Sequence, residues 1–337
     1  MHITTVGLDL AKNVFHLVGL DAQGREGMKK KLSRAQLLRY FANLPRCLVG
    51  MEACAGAHHV ARALGKLGHE AKLMPPQYVK AYLRGQKNDY NDARAIAEAV
   101  RVPSMRFVAV KTAAQQDLQA LARMREGVLR ARTALVNRVR GLLGEYGLVV
   151  AQGVGALRRA VPELLEDADN GLSARFRRLL AIAWQELQEL DAHLLALTRE
   201  LKAAAREDDR ARRLQTLPGF GPITAAVFAG SFGDGTQYRN ARQAAAALGL
   251  VPRQRSSGGK PTLLGISKRG DRYLRSLLVH GARAVVRTAT AKDDRLSCWI
   301  NRLRATRGAN KASVALANKL ARIAWAVLVR QTTYQPA

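Results

Sequence analysis

Residues 1 to 112 read as a mixed α/β domain, residues 113 to 210 as a long helical segment, and residues 211 to 337 as a mainly α C-terminal domain. Three observations carry this. β-rich and helical runs alternate through the first domain. In the middle segment, apolar residues recur at spacings of three, four and seven, the pattern of long amphipathic helices. Beyond Arg213, Pro-Gly turns separate shorter helical runs.

His2-Ile3-Thr4-Thr5-Val6-Gly7-Leu8-Asp9 is rich in β-formers and ends on an acid. Val14 to Leu20 follows after a tight connection. Asp21-Ala22-Gln23-Gly24 is a turn signal, and a Lys-rich third strand runs through Met28 to Leu32. Ser33-Arg34-Ala35-Gln36 has the form of a capping box, opening a helix that ends near Asn43. Cys47 to Glu52 is a short buried strand, again ending on an acid. A helix from Ala57 to Gly68 and a strand from Glu70 to Met74 follow, stopped by Pro75-Pro76. The order βββαβαβ, with a helix after it, is the layout of a ribonuclease-H-like sheet.

In such a sheet the first and fourth strands are neighbours, so Asp9 and Glu52 end side by side. Asp89 and Asp92 stand at the head of the next helical run, Ala93 to Val100. Residues at i and i+3 share a helix face, so both acids cover the strand ends. Each has an ordinary alternative: a turn residue for Asp9, a helix-start acid for Glu52, a doubled N-cap for Asp89 and Asp92. Four converging carboxylates repel unless a cation neutralises them, so a hard divalent metal is expected, Mg²⁺ with Mn²⁺ as substitute. Such ions stabilise the attacking and leaving oxygens of phosphoryl transfer.

From 113 to 147 a long helix is expected, with Leu121, Val128, Leu135 and Leu142 recurring every seven residues and arginines, among them Arg123, Arg125, Arg130, Arg132, Arg138 and Arg140, on much of the remainder. Gly153-Val154-Gly155 and Pro162 are expected to break it. A second helix carries Phe176, Leu180, Ala183, Leu187, Leu190, Leu194, Leu197 and Leu201, a coiled-coil seam or a plain helical spacer. Leu217-Pro218-Gly219-Phe220-Gly221-Pro222 resembles a helix-hairpin-helix turn, whose glycines let backbone N–H groups approach a phosphate. Gly249 to Lys260 reads as a flexible basic loop containing Ser256 and Ser257, and Lys268, Arg269 and Arg272 continue the basic run into a helix. On chemistry alone, a serine in such a loop is more often a phosphate contact than a nucleophile. An amphipathic basic helix around Leu320, Ile323 and Val327 closes the chain.

The 337 residues carry 55 Lys and Arg against 26 Asp and Glu, a formal charge of +29. That field implies a polyanion, DNA or RNA, rather than a small metabolite. Aromatic residues are few, which argues against single-strand stacking platforms as the main binding mode. Three cysteines without a C-x-x-C pair exclude a thiolate metal site and fit a reducing compartment. With no signal peptide and no apolar run of membrane length, an intracellular, soluble protein with no membrane partner is expected.

Gly7-Leu8-Asp9, Met51-Glu52-Ala53, Asn88-Asp89-Tyr90-Asn91-Asp92-Ala93, Leu217-Pro218-Gly219-Phe220-Gly221, Ser256-Ser257-Gly258-Gly259 and Ser267-Lys268-Arg269-Gly270-Asp271 occur in this order. The chain thereby closely resembles the DEDD-type insertion-sequence transposases, over nearly its whole length. The resemblance implies a RuvC-like N-terminal domain, a coiled coil and a C-terminal transposase domain. It implies donor and target double-stranded DNA as partners, a structured bridge RNA as guide, a homo-oligomer (dimer or tetramer), and a bacterial cytoplasmic, nucleoid-associated location. Carried over, Asp9, Glu52, Asp89 and Asp92 hold the metal. The family's serine, which precedes a glycine, falls on Ser257, with Ser256 beside it. A phosphoserine intermediate at a composite site is implied, the tetrad from one subunit and the serine from another. Arg253, Arg255, Lys260, Lys268, Arg269 and Arg272 are candidate nucleic-acid contacts. Two other readings remain: a metal-dependent, Holliday-junction-type nuclease in which water attacks, and a non-catalytic nucleic-acid-binding protein.

Overall fold

Our computed structural model describes residues 2–86 and 88–336 and falls into two compact units, Met1–Thr112 and Ala113–Ala337. In the first, β1 (Thr5–Leu10), β2 (Val14–Leu20), β3 (Glu26–Ser33), α1 (Arg34–Ala42), β4 (Leu48–Glu52), α2 (Ala57–Lys66), β5 (Glu70–Met74), a single turn α3 (Pro76–Val79) and α4 (Asp89–Val100) follow one another. The sheet runs in the order β3-β2-β1-β4-β5. The short connections leave β1, β2 and β3 antiparallel. β4 and β5 return parallel through α1 and α2, since parallel strands need a crossover. Ser33 N–H donates to Gln36 Oε1 at 2.9 Å at the head of α1.

Side chains alternate across a strand, so the sheet has two distinct faces. Val6, Leu8, Phe15, Leu17, Val49, Met51 and Leu73 form a core with Leu37 and Phe41 of α1 and Val60 and Leu64 of α2. The opposite face receives α4. There Gly7 and Gly50 stand where larger residues would fail. A Cβ on Gly7 would lie 2.0 Å from the Ala93 carbonyl oxygen and 2.5 Å from the Ala97 nitrogen, and one on Gly50 2.8 Å from Val100 Cβ. The two glycines let α4 settle directly onto the backbone of β1 and β4.

The second unit begins with α5 (Ala113–Gly144), α6 (Val154–Glu166) and α7 (Ala174–Glu207). On α7 the expected seam is inward: Leu180, Leu187, Leu194 and Leu201 are all buried. On α5 the strict seven-residue reading fails at its end. Leu142 is 47 % exposed and Leu143 fully buried, because a helix of 3.6 residues per turn drifts by about 20° per heptad away from a straight seven-residue stripe. The buried line is instead Ala122, Leu135, Val136, Val139 and Leu143. Pro162 lies inside α6 rather than breaking a helix, between the buried Leu157 and the exposed end of the element; adjacent Val161 is buried too.

α8 (Asp209–Leu214), α9 (Pro222–Phe232), α10 (Ala241–Ala247), β6 (Pro252–Gln254), β7 (Leu263–Ile266), α11 (Arg272–Thr288), α12 (Arg295–Arg307) and α13 (Ala309–Arg330) complete the unit. Its core joins Ala122 and Leu201 to Phe220, Phe228, Leu274, Leu278, Leu316 and Leu320. Among the described residues one helix, α13, is long and apolar enough to cross a membrane. This qualifies the expectation that no such run exists. Its Leu316, Ala317, Leu320, Ala321 and Ala324 are fully buried against the unit's other helices. In the turn between α8 and α9, Gly219 (φ +80°) has its close approach taken up by protein: a Cβ there would lie 2.8 Å from the Gly281 carbonyl oxygen of α11. Gly221 has open space around it.

Candidate active site

The face parity that aims Gly7 at α4 also aims Asp9 there, two residues on. Gly50 and Glu52 repeat the relation on β4, each acid one residue beyond the Leu8–Met51 pair of the parallel ladder. α4 starts above these strand ends. Asn88 caps it, its side chain accepting from Asn91 N–H at 2.9 Å, which leaves Asp89 as the first helical residue. Asp89 therefore sits at the positive end of the helix dipole.

A residue not anticipated from the sequence completes the arrangement. His16 is the cross-strand partner of Asp9. One imidazole nitrogen of His16, one carboxylate oxygen of Asp9 and one of Asp89 all lie within 4.8 Å of one another. His16 Nδ1 is 3.3 Å from Asp89 Oδ2. His16 is 8 % exposed, its ring edge-on to Tyr90 with centroids 4.9 Å apart. Glu52 and Asp92 are half-buried and lie outside this tight group. Cys54 reports that Glu52 and Asp9 share a neighbourhood: partial burial, then the carboxylates of Glu52 and Asp9, push its thiol above the ordinary range. Carboxylates gathered around an imidazole nitrogen are a donor set for a divalent cation. The sequence signal for His16 was its parity: it is the polar residue on the α4 face of an otherwise apolar strand.

The basic loop is not flexible coil but a β-hairpin of β6 and β7. Ser257 and Lys260 form a bridge across its tip, with Lys260 N–H donating to the Ser257 carbonyl at 3.1 Å. Gly258 (φ +56°) and Gly259 (φ +74°) are the two central residues, both left-handed, as a two-residue type I′ turn demands. Ser256 Oγ is engaged within the hairpin, accepting from Gln254 Nε2 at 2.8 Å and from Thr262 N–H at 3.4 Å. Ser257 Oγ has no hydrogen-bond partner among the described residues.

Arg253, Arg255, Lys260, Lys268, Arg269 and Arg272 are all exposed, and none of their side chains is paired among the described residues. Lys268 is held with φ +56°, and its N–H donates to the Gly249 carbonyl at 3.0 Å. The arginines of α5 differ. Arg125 donates to Thr198 Oγ1 and Tyr273 OH, Arg132 to Asp191 and Arg140 to the Val150 carbonyl, while Arg130 pairs with Glu126. Four of the six cations expected to face a polyanion there are occupied within the fold.

A five-stranded mixed sheet with acids at the ends of neighbouring strands under a helix N-terminus, on a strongly basic chain, defines a DEDD nucleic-acid-processing domain of the ribonuclease-H-like class. Comparison with known proteins gives the family. Residues 6–147 match the DEDD-type IS110 family, described as transposase, and residues 211–296 the transposases of the IS116/IS110/IS902 family. The chain is 49 % identical over 337 residues, all of both chains, to a probable family 20 transposase of Pseudomonas aeruginosa. It is 46 % identical to the transposase for insertion sequence element IS1111A of Coxiella burnetii, covering 99 % of this chain and 92 % of that one. With the transposase for IS1328 of Yersinia enterocolitica it shares 42 %, over 99 % of each. The chain belongs to the IS110/IS116 family of insertion-sequence transposases. It is a DNA transposase, its substrate is DNA, and the acidic cluster of its N-terminal unit is suited to a divalent cation.

Proposed function

We propose that the chain cuts and rejoins DNA through Ser257 in the C-terminal transposase domain, assisted by a metal held by Asp9, Glu52, Asp89 and Asp92 of the RuvC-like domain. The observation that carries this reading is the state of Ser257: a hydroxyl with no hydrogen-bond partner among the described residues, at the tip of a two-glycine turn, amid cations whose side chains are likewise unpaired among the described residues. Oγ attacks the phosphorus of the scissile phosphate. An Oγ–P bond forms, the bond to the departing sugar oxygen breaks, and the serine proton ends on that oxygen. The resulting phosphoserine keeps the bond energy for rejoining, when the hydroxyl of the new strand displaces serine and the proton returns to Oγ. Arg253, Arg255 and Lys260 stabilise the charge that develops on the phosphoryl oxygens; Lys268, Arg269 and Arg272 hold the flanking backbone. A bound Mg²⁺ supplies Lewis acidity at the phosphate. Asp9 and Glu52 hold their carboxylates at fixed strand ends, and Asp89 and Asp92 bring theirs down on α4. Gly221, with open space at the start of α9, is free to let DNA backbone approach. One protomer of a dimer or tetramer supplies the acidic group and another the serine, with the α5–α7 region as a coiled-coil spacer, and a structured RNA selects the DNA sites.

Trapping the reaction with donor and target DNA tests this. The expected result is a covalent protein–DNA adduct, mapped by peptide analysis to Ser257, absent in Ser257→Ala and retained in Ser256→Ala. Mixing Asp9→Ala with Ser257→Ala is expected to restore joining that neither supports alone. Hydrolysed ends with no adduct in the wild type would assign the chemistry to water instead. Sequencing RNA that copurifies with the chain tests the guide.

A further inference from the structure

We infer that His16 is a direct ligand of the cation at the acidic cluster, and that it biases the site from Mg²⁺ toward Mn²⁺. This rests on the metal reading above and goes beyond it, since that reading holds the ion with carboxylates alone.

Three features of His16 point to this. Its Nδ1 is enclosed and has no hydrogen-bond partner among the described residues. The Asp89 oxygen at 3.3 Å is at ion-pair distance but not in hydrogen-bonding geometry. Buried polar atoms are nearly always partnered, so an orphaned nitrogen in a buried ring calls for a ligand. The ring is also aimed. β2 pairs antiparallel with β1 so that His16 faces Asp9 on the side covered by α4, and Tyr90 packs edge-on against it. Finally, the spacing suits one ion. Ligands bonded to one cation at about 2.1–2.6 Å sit up to about 4–5 Å apart, and the donor atoms of Asp9, His16 and Asp89 lie within 4.8 Å of one another.

The donor type sets the preference. Mg²⁺ takes oxygen ligands and gives up water reluctantly, whereas a neutral imidazole nitrogen suits transition ions. Replacing one oxygen donor by nitrogen therefore raises Mn²⁺ affinity relative to Mg²⁺. His16→Asp would return an all-oxygen set.

The test is equilibrium metal binding by the full chain without DNA. Free Mn²⁺ is followed by its paramagnetic resonance signal and Mg²⁺ by calorimetry, for the wild type and for His16→Ala, His16→Asp and Asp9→Ala; each variant's fold is checked by metal-free thermal melting. His16→Ala is expected to lower Mn²⁺ affinity by about 10- to 100-fold, at least the loss seen when a metal's outer contacts are disturbed, and Mg²⁺ affinity by less. His16→Asp keeps binding but lowers the Mn²⁺-to-Mg²⁺ affinity ratio. Asp9→Ala loses both ions. If His16→Ala binds both ions as the wild type does while Asp9→Ala loses them, His16 is no ligand and the metal reading stands. An unchanged ion ratio in His16→Asp overturns the inference too, even if His16→Ala fails to fold. Wild-type-like binding by Asp9→Ala, or no binding by the wild type, overturns the metal reading and the inference together.

Discussion

Gly7→Ala would separate Asp9 of β1 from the acids of α4 without touching either. The new Cβ would lie 2.0 Å from the Ala93 carbonyl oxygen and 2.5 Å from the Ala97 nitrogen, both backbone atoms of α4. Neither can rotate away as a side chain would, so the helix itself must move. Restoring ordinary van der Waals contact near 3.4 Å requires α4 to recede by about 1.4 Å, and overpacking of this kind costs about 1–3 kcal/mol. With two backbone clashes the upper end applies. In a domain of roughly this size 1 kcal/mol shifts Tm by about 4–8 °C, so a loss of about 10–20 °C is expected for the N-terminal unit. The same displacement opens the His16–Asp89 separation from 3.3 Å to about 4.7 Å, beyond ion-pair range. DNA joining should fall together with Tm, measured by circular dichroism melting and by recombination of a supercoiled donor with its target. Gly65→Ala is the control. Gly65 is an exposed residue of α2 with open space around its Cα, and alanine there should stabilise by about 0.5–1 kcal/mol. If Gly7→Ala melts within about 2 °C of wild type and joins DNA at the normal rate, the close seating of α4 does not position the acids.

Two further outcomes follow from the C-terminal unit. Gly258→Ala combined with Gly259→Ala forces two non-glycine residues into left-handed backbone, at about 1–2 kcal/mol each; DNA cleavage should drop at least tenfold while the melting curve stays unchanged, because the hairpin is exposed, and normal cleavage would show that the turn geometry is dispensable. DNA affinity should fall steeply with salt, log K against log salt changing by roughly −0.9 per phosphate neutralised; Arg253→Ala should make that slope shallower by about one, whereas Arg130→Ala, already paired with Glu126, should leave it alone, and equal effects from the two would undo the distinction between free and occupied cations.

What could be read from the sequence was whatever depends on local pattern. Asp9 and Glu52 end β-rich runs, and a strand's period of two fixes their face once Gly7 and Gly50 are assigned to it. Asn88 and Asp89 carry a helix start on their own chemistry. His16 was harder, because its partner is set by the register of β1 against β2, and a one-residue slip would turn it to the other face. The hairpin at Ser257 was hidden for a different reason. β6 and β7 are three and four residues long and almost wholly exposed, so no apolar alternation marks them, and only Gly258-Gly259 gave a turn signal. The arginines of α5 show a third limit. Composition counts charges but not partners: Asp191, Thr198 and Tyr273 lie far in sequence from the arginines they meet, with no shared pattern, and of these partners only Glu126, four residues before Arg130, follows a helical spacing.

The glycines and the acids of the N-terminal sheet answer one physical problem. Carboxylates brought together repel, so a fold that gathers them must hold them by forces unrelated to charge. Here that force is apolar packing of α4 through Ala93, Ala97, Ile96 and Val100, all buried, onto strands stripped of side chains at Gly7 and Gly50. Each glycine lies two residues before an acid, on the same face, so the contact that seats the helix and the carboxylate it helps to confine belong to one strand segment. The helix brings Asp89 at its positive end, where the dipole offsets part of the repulsion. A divalent cation bound at the cluster would offset more of it, and His16 Nδ1, without a hydrogen-bond partner among the described residues, stands at that same place.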